Sequence, residues 1–154
     1  VQYRTGPTES GNPYGMKVAR MDAHGGWVAT ALDLIYFARS VDGYSEGAVD
    51  QIRGSSWTTM HSGSAANSGY ASGIALCGGN STCHNGILPG CYTYMWRGWS
   101  TDPLKRYTVA VLTNTRGSDK PSFQGDVTQL AQDIIGIAGI DKRWPCSLPL
   151  APAA

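Results

Sequence analysis

Residues 90–113 read GCYTYMWRGWSTDPLKRYTVAVLT, and they contain two segments with the composition of β-strands. Gly90–Trp96 and Tyr107–Thr113 are rich in aromatic and β-branched residues, which favour strands. Asp102-Pro103 between them is typical of a turn, so residues 99–105 are expected to join the strands as a hairpin. The stretch therefore predicts neighbouring antiparallel strands.

Two helices are predicted, one on each side of this stretch. Thr30-Ala-Leu-Asp33 is a Ser/Thr-x-x-acid start signal, and helical spacing continues until Asp42-Gly43, which predicts a helix over Thr30–Val41. The second helix carries an apolar stripe that can cover one face of a sheet. The stripe consists of Val127, Leu130, Ala131, Ile134, Ile135 and Ala138.

The other segments give weaker signals. Tyr70–Leu76 predicts a third strand, Ala48–Arg53 a short helix, and residues 54–69 an irregular segment. The fold class predicted is α+β, an antiparallel sheet of at least three strands with helices packed on it. We divide the chain into an irregular N-terminal arm (1–23), an α+β region (24–146) and a Pro/Ala tail (147–154).

Length and charge exclude several classes of protein. The chain has 154 residues with 12 basic and 11 acidic side chains, a net charge of +1. This length favours one domain with a packed core. A charge near zero argues against a nucleic-acid partner and against a polybasic membrane patch. No apolar run reaches the roughly 18 residues of a membrane span. The first residue, Val1, is not an initiator Met, and we interpret the chain as trimmed from a longer precursor.

The cysteines indicate an oxidising compartment. Cys77, Cys83, Cys91 and Cys146 permit three complete pairings. We favour Cys77–Cys83, which flank a short polar segment, together with Cys91–Cys146; four free thiols are the alternative. The spacings do not fit a structural zinc site, and nothing else indicates a metal or a cofactor. Asn80-Ser-Thr82 is an N-glycosylation acceptor, so the sequence predicts a secreted, extracellular glycoprotein.

Standard catalytic motifs are missing from the sequence. It contains no G-x-S-x-G, no H-E-x-x-H, no P-loop and no dinucleotide fingerprint. His24, His61 and His84 stand beside small residues, where a hydrogen-bonding role is commoner than catalysis. A Ser–His–Asp triad assembled by the fold stays open.

Aromatic residues around the strands suggest a binding surface. Tyr92, Tyr94 and Trp96 alternate along one strand, so their rings share a face, and Trp99 follows. These four rings are candidates for stacking on sugars. The favoured alternative is that they fill the core beneath the C-terminal helix.

Several short motifs, taken in order, resemble the C-terminal part of the β-lactamase-like serine hydrolases. This superfamily includes class C β-lactamases, D-Ala-D-Ala peptidases and related esterases. The matching pieces are a Gly-Gly turn at 25–26, the helix start Thr30-Ala-Leu-Asp-Leu34, His84-Asn-Gly86, Leu88-Pro-Gly90 and Leu112-Thr-Asn114. The resemblance spans about residues 15–140.

The resemblance implies roles for three residues. The His-x-Gly motif of this superfamily lies on an edge strand that faces the nucleophile. By resemblance, His84 is a clamp that contacts a substrate carboxylate or the catalytic Tyr, and Gly86 lets the substrate lie against the strand. The Ile87 N–H is a donor to the oxyanion. The alternative is that His84-Asn-Gly86 is only a turn entering a strand.

The chain departs from the superfamily at its nucleophile. It contains neither Ser-x-x-Lys nor Tyr-x-Asn, which lie upstream of the matched region in the superfamily. We therefore expect the C-terminal chain of a secreted serine hydrolase, inactive alone, whose partner is an upstream chain of the same precursor that supplies Ser, Lys and Tyr. The alternatives are a secreted non-catalytic binding protein of this fold, a lectin-like or cell-surface effector that binds a glycan or cell-surface ligand, and an unrelated small enzyme.

Overall fold

A computed structural model describes residues 20–44, 50–52, 54–88, 90–99, 106–115 and 121–140. Its helices are α1 (Ala31–Ser40), α2 (Gly54–Met60) and α3 (Phe123–Ile140), and its strands are β1 (Ala75–Gly78), β2 (Ser81–Leu88), β3 (Cys91–Gly98) and β4 (Thr108–Thr113). The strands form one antiparallel sheet in the order β1-β2-β3-β4. The predicted α+β class is confirmed.

Helix α1 begins as its sequence predicts. The Thr30 hydroxyl accepts a hydrogen bond from Asp33 N at 3.1 Å, and the Asp33 carboxylate accepts one from Thr30 N at 2.7 Å, which completes a capping box. These bonds from the Thr30 backbone and hydroxyl hold the pKa of Asp33 below its ordinary value.

One face of the sheet packs against α3 and forms the hydrophobic core. Tyr92 and Tyr94 of β3 are 2% and 6% exposed, and they pack with Val127 and Ala131 of α3. The predicted apolar stripe is thus confirmed at its centre, although Leu130 is half exposed. Because side chains alternate along a strand, Trp96 belongs to the same face and contacts this cluster.

The opposite face of the sheet packs against α1. Phe37 and Ala38 of α1, with Val41 directly after it, enclose a cavity of about 20 Å³ together with Met95 and Arg97 of β3. The two faces therefore carry different helices, and the sheet is the middle layer.

Some predicted elements differ from the structure. Residues 54–69, predicted to be irregular, contain α2, which is rich in Ser and Thr and has no apolar period. The strand predicted over Tyr70–Leu76 begins only at Ala75, with Tyr70 in an isolated bridge to Ala75. Residues 50–52 of the predicted helix 48–53 are not helical, and the rest of it lies outside the described residues.

The polar segment between Cys77 and Cys83 contains the connection from β1 to β2. The turn itself is Gly79-Asn80, and both of these residues and Gly78 at the end of β1 have positive φ. The predicted arm up to residue 19, the turn from residue 100 to 105 and the tail 147–154 lie outside the described residues.

Candidate functional site

Strand β2 extends beyond its neighbour β1. Strand β1 pairs only with Ser81, Thr82 and Cys83, whereas β3 pairs with β2 along its whole length to Leu88. Among the described residues, no strand pairs with the other side of His84–Leu88. We call this segment the open edge. The His84-Asn-Gly86 motif, which the resemblance places on an edge strand, lies in this segment. Within the described ranges, strand β2 is thus paired on both sides at its start and on one side only at its end.

The register of the sheet fixes which backbone groups point out of the open edge. Tyr92 N and O both contact Thr113 Oγ1 of β4, at 3.3 and 2.8 Å, so the polar groups of Tyr92 point away from β2. Ile87 lies opposite Tyr92. In an antiparallel pair, such a residue turns its own N–H and C=O to the far side. The Ile87 N–H therefore points out of the open edge.

The same alternation applies to the rest of the open edge. Asn85 lies opposite Tyr94 and also points its backbone outward, while Gly86 and His84 lie opposite Thr93 and Met95 and bond inward to β3. Cys83, two residues before Asn85, points the same way and there meets Ala75 of β1. The N–H groups of Asn85 and Ile87 have no backbone partner in the described part of the chain.

His84 is exposed and contacts a residue that sequence analysis did not assign to the site. Its Nε2 lies 2.9 Å from the Tyr70 hydroxyl, and the two rings meet edge to face at 6.0 Å. Tyr70 is placed by its bridge to Ala75 and by a hydrogen bond from its N to Asn67 O at 3.3 Å. No spacing in the sequence could have revealed this pair, because it depends on the bend between Tyr70 and β1.

Gly86 has a packing role that is independent of any substrate. A Cβ built at Gly86 would lie 2.7 Å from Thr93 Oγ1 on β3, closer than side chains pack. Its small size therefore lets the Thr93 side chain lie across β2.

We expect Gly86→Ala to lower the free energy of unfolding by about 1–3 kcal/mol, as overpacking does. Thr93→Ala in the same chain should recover most of the loss, since it removes the crowded hydroxyl. Gly136→Ala in α3 is the matched control; nothing lies within 4 Å of its Cβ position, and it should stabilise by about 0.5–1 kcal/mol. Urea unfolding measures the free energy of unfolding of each variant. If Gly86→Ala costs as much in the Thr93→Ala background as it does alone, crowding against the Thr93 hydroxyl is not the cause of the loss.

The cysteine prediction is supported for one pair. Cys77 and Cys83 lie at disulfide distance across β1 and β2, with their Cα atoms 5.9 Å apart. Cys91 is half-buried and joins no described cysteine, and its predicted partner Cys146 lies outside the described residues. Asn80 is exposed at the tip of the turn, and Ser81 and Thr82 of the glycosylation acceptor are buried.

The aromatic residues separate into two groups. Tyr92 and Tyr94 lie in the core, and burial raises the pKa of Tyr94, so neither ring offers a face for a sugar. The half-buried Trp96 packs on the same cluster. Trp99 is also half-buried and makes edge contacts with Trp57 and His61, at 5.8 and 5.2 Å. The favoured alternative, that aromatic residues fill the core, thus describes Tyr92 and Tyr94.

A buried ion pair lies between the sheet and α1. The Arg97 Nη2 donates to the Asp42 carboxylate, and Nη1 donates to Thr108 Oγ1 at 2.6 Å. Burial is the main influence on both groups: it raises the pKa of Asp42 and lowers the pKa of Arg97. Two buried polar atoms beside the pair, Thr82 Oγ1 and Arg97 Nε, have no hydrogen-bond partner in the described part of the chain.

Within the described residues, the arrangement is an α+β fold in which the end of β2 is unpaired on one side and carries the exposed His84, which contacts Tyr70. No model of a known protein family, no curated protein and no solved structure matches this chain. Within the described ranges, no helix is long and apolar enough to cross a membrane, and no group of three or more His, Cys, Asp or Glu side chains could hold a metal ion.

Proposed function

We propose that this chain is the C-terminal part of a secreted β-lactamase-like serine hydrolase, which cleaves an amide or an ester through an acyl-serine intermediate. The observation that carries the proposal is the Ile87 N–H, which points out of an open strand edge beside His84 and Gly86. The upstream chain that we propose as the partner supplies the Ser-x-x-Lys and Tyr-x-Asn motifs that this sequence lacks.

The Ile87 N–H suits the stabilisation of a developing negative charge. Attack on a carbonyl creates a tetrahedral oxyanion, which is stabilised by N–H donors about 2.7–3.1 Å away. The ladder between β2 and β3 holds this N–H in a fixed direction, so it does not have to reorganise during the reaction.

Gly86 and His84 are the other two residues of the open edge that have a role toward the substrate in this proposal. Gly86 carries no side chain, but Thr93 Oγ1 lies 2.7 Å from the position that its Cβ would take, so a substrate would approach Gly86 from the open edge and not across this face. The exposed His84 lies two residues before it on the α1 face of the sheet and can donate to a substrate oxygen. In this proposal His84 binds the substrate, and the proton transfers belong to the upstream chain.

A covalent probe tests the proposal. The native protein, isolated with whatever chain accompanies it, is treated with a fluorophosphonate, which labels activated serines. We expect the label on a co-purifying upstream chain and none on residues 1–154. His84→Ala should slow the labelling by about 10–100-fold, the value of one hydrogen bond to a charged group.

The control for this experiment is the exposed His24, which lies outside the open edge. His24→Ala should leave the labelling rate unchanged. Native material whose intact mass shows this chain alone, with no labelling, would refute the hydrolase.

A further inference from the structure

The Tyr70–His84 contact bears on which ring nitrogen of His84 carries the proton. The Tyr70 hydroxyl lies 2.9 Å from His84 Nε2, and this is the one side-chain hydrogen bond that either residue makes with the described part of the chain. The ring planes meet at 65°, which directs the edge of one ring toward the other. The contact therefore uses Nε2 and leaves Nδ1 available.

The chemistry of the two groups decides where the proton lies. A phenol hydroxyl both donates and accepts, while a neutral imidazole has one N–H and one nitrogen lone pair. Each arrangement leaves one proton without a described partner, the phenol proton if Nε2–H donates and the Nδ1 proton if Tyr70 donates, so the relative strengths of the groups decide. A phenol is the more acidic donor, and a neutral imidazole nitrogen is the more basic acceptor. If Tyr70 donates, the phenol proton and the Nε2 lone pair satisfy each other. In this second arrangement the proton of the neutral ring is on Nδ1.

We propose that Tyr70 is a positioning residue that holds neutral His84 in the Nδ1–H tautomer. His84 then presents an N–H donor beside the open edge without having to be protonated. The group it suits is an oxygen acceptor, such as a carbonyl or carboxylate of an extended ligand. This assignment of the ligand rests on the proposed function, whereas the tautomer does not.

The chain contains its own reference histidines. His61 Nδ1 lies 2.9 Å from the Trp57 carbonyl oxygen, which can only accept, so neutral His61 must carry its proton on Nδ1. His24 is exposed, and its ring makes no hydrogen bond within the described ranges, so it represents an unconstrained imidazole.

Long-range ¹H–¹⁵N correlation spectra of the full chain measure the tautomer of each ring. They are recorded at a pH of about 8.5, above the ordinary imidazole pKa of about 6.5. We expect His84 to match His61, with a protonated Nδ1 and an unprotonated Nε2. Tyr70→Phe keeps the ring but removes the hydroxyl, and it should shift the His84 pattern to that of His24 while His61 stays unchanged. A protonated Nε2 in His84, or no change in Tyr70→Phe, would overturn the inference.

This test is separable from that of the hydrolase, because it uses the chain alone and needs no activity. If fluorophosphonate labels nothing but His84 matches His61, the hydrolase fails and the tautomer stands. If labelling succeeds but His84 matches His24, the hydrolase stands and Tyr70 is not a positioning residue.

Discussion

Asp42→Ala should lower the free energy of unfolding by about 3–5 kcal/mol, the cost of removing one partner of a buried ion pair. Arg97 is 8% exposed, and its guanidinium would lose the carboxylate that neutralises it. The Thr108 hydroxyl would remain as its one described side-chain partner, and a hydroxyl cannot compensate a buried charge. Urea unfolding at neutral pH, followed by circular dichroism, measures the loss.

Two further variants show whether the loss comes from the unpaired charge. The double variant Asp42→Leu with Arg97→Met removes both charges, and it should recover most of the stability. Asp133→Ala removes an exposed carboxylate that accepts a hydrogen bond from Gln129 four residues earlier, and it should cost no more than about 0.5 kcal/mol. A loss below about 1 kcal/mol for Asp42→Ala would mean that Arg97 reaches water without its partner.

The parts of the fold that sequence analysis predicted are those with a local signal. The capping residues Thr30 and Asp33 mark the start of α1, and the apolar stripe of α3 marks a helix that covers a sheet. Strands β3 and β4 carry the β-branched and aromatic residues that favour strands. Each of these signals is contained within one element.

Strand β2 lacks such a signal. Its residues STCHNGIL are mostly polar or small. Buried and exposed side chains do not alternate regularly along it, because one side of its second half is unpaired in the described part of the chain. The strand forms because the tight turn at Gly79 and Asn80 and the long pairing with β3 hold it. The resemblance to serine hydrolases implied a strand at His84-Asn-Gly86 that the residues alone did not indicate.

The candidate site depends on relations between elements, which a sequence does not display. The outward direction of the Ile87 N–H follows from its register with Tyr92, and a shift of one residue would turn it inward. The His84–Tyr70 contact joins residues 14 positions apart through a bend, and the Asp42–Arg97 pair joins residues 55 apart. Sequence analysis could nominate His84 and Ile87, but it could not provide their partners.

Ile87→Pro should reduce the rate at which a fluorophosphonate phosphonylates the serine nucleophile by about 10²–10³-fold, the effect of losing one oxyanion donor. Proline has no N–H, so this substitution removes the one group that the proposal requires of Ile87. The fold should tolerate it, because proline is accepted in strands where the N–H points away from the ladder. The rate of fluorophosphonate labelling of the assembled protein measures the effect, and the melting temperature measures the integrity of the fold.

Asn85→Pro is the matched control, because Asn85 also points its N–H out of the open edge, two residues before Ile87. Both variants should melt at similar temperatures, since neither breaks a bond between β2 and β3. If Ile87 supplies the oxyanion donor, Asn85→Pro should retain the labelling rate to within about tenfold, while Ile87→Pro loses far more. Equal losses in the two variants would show that the strand edge acts only as a surface for the substrate. Unimpaired labelling of folded Ile87→Pro would exclude Ile87 as a donor, because no other feature of this variant restores the missing N–H.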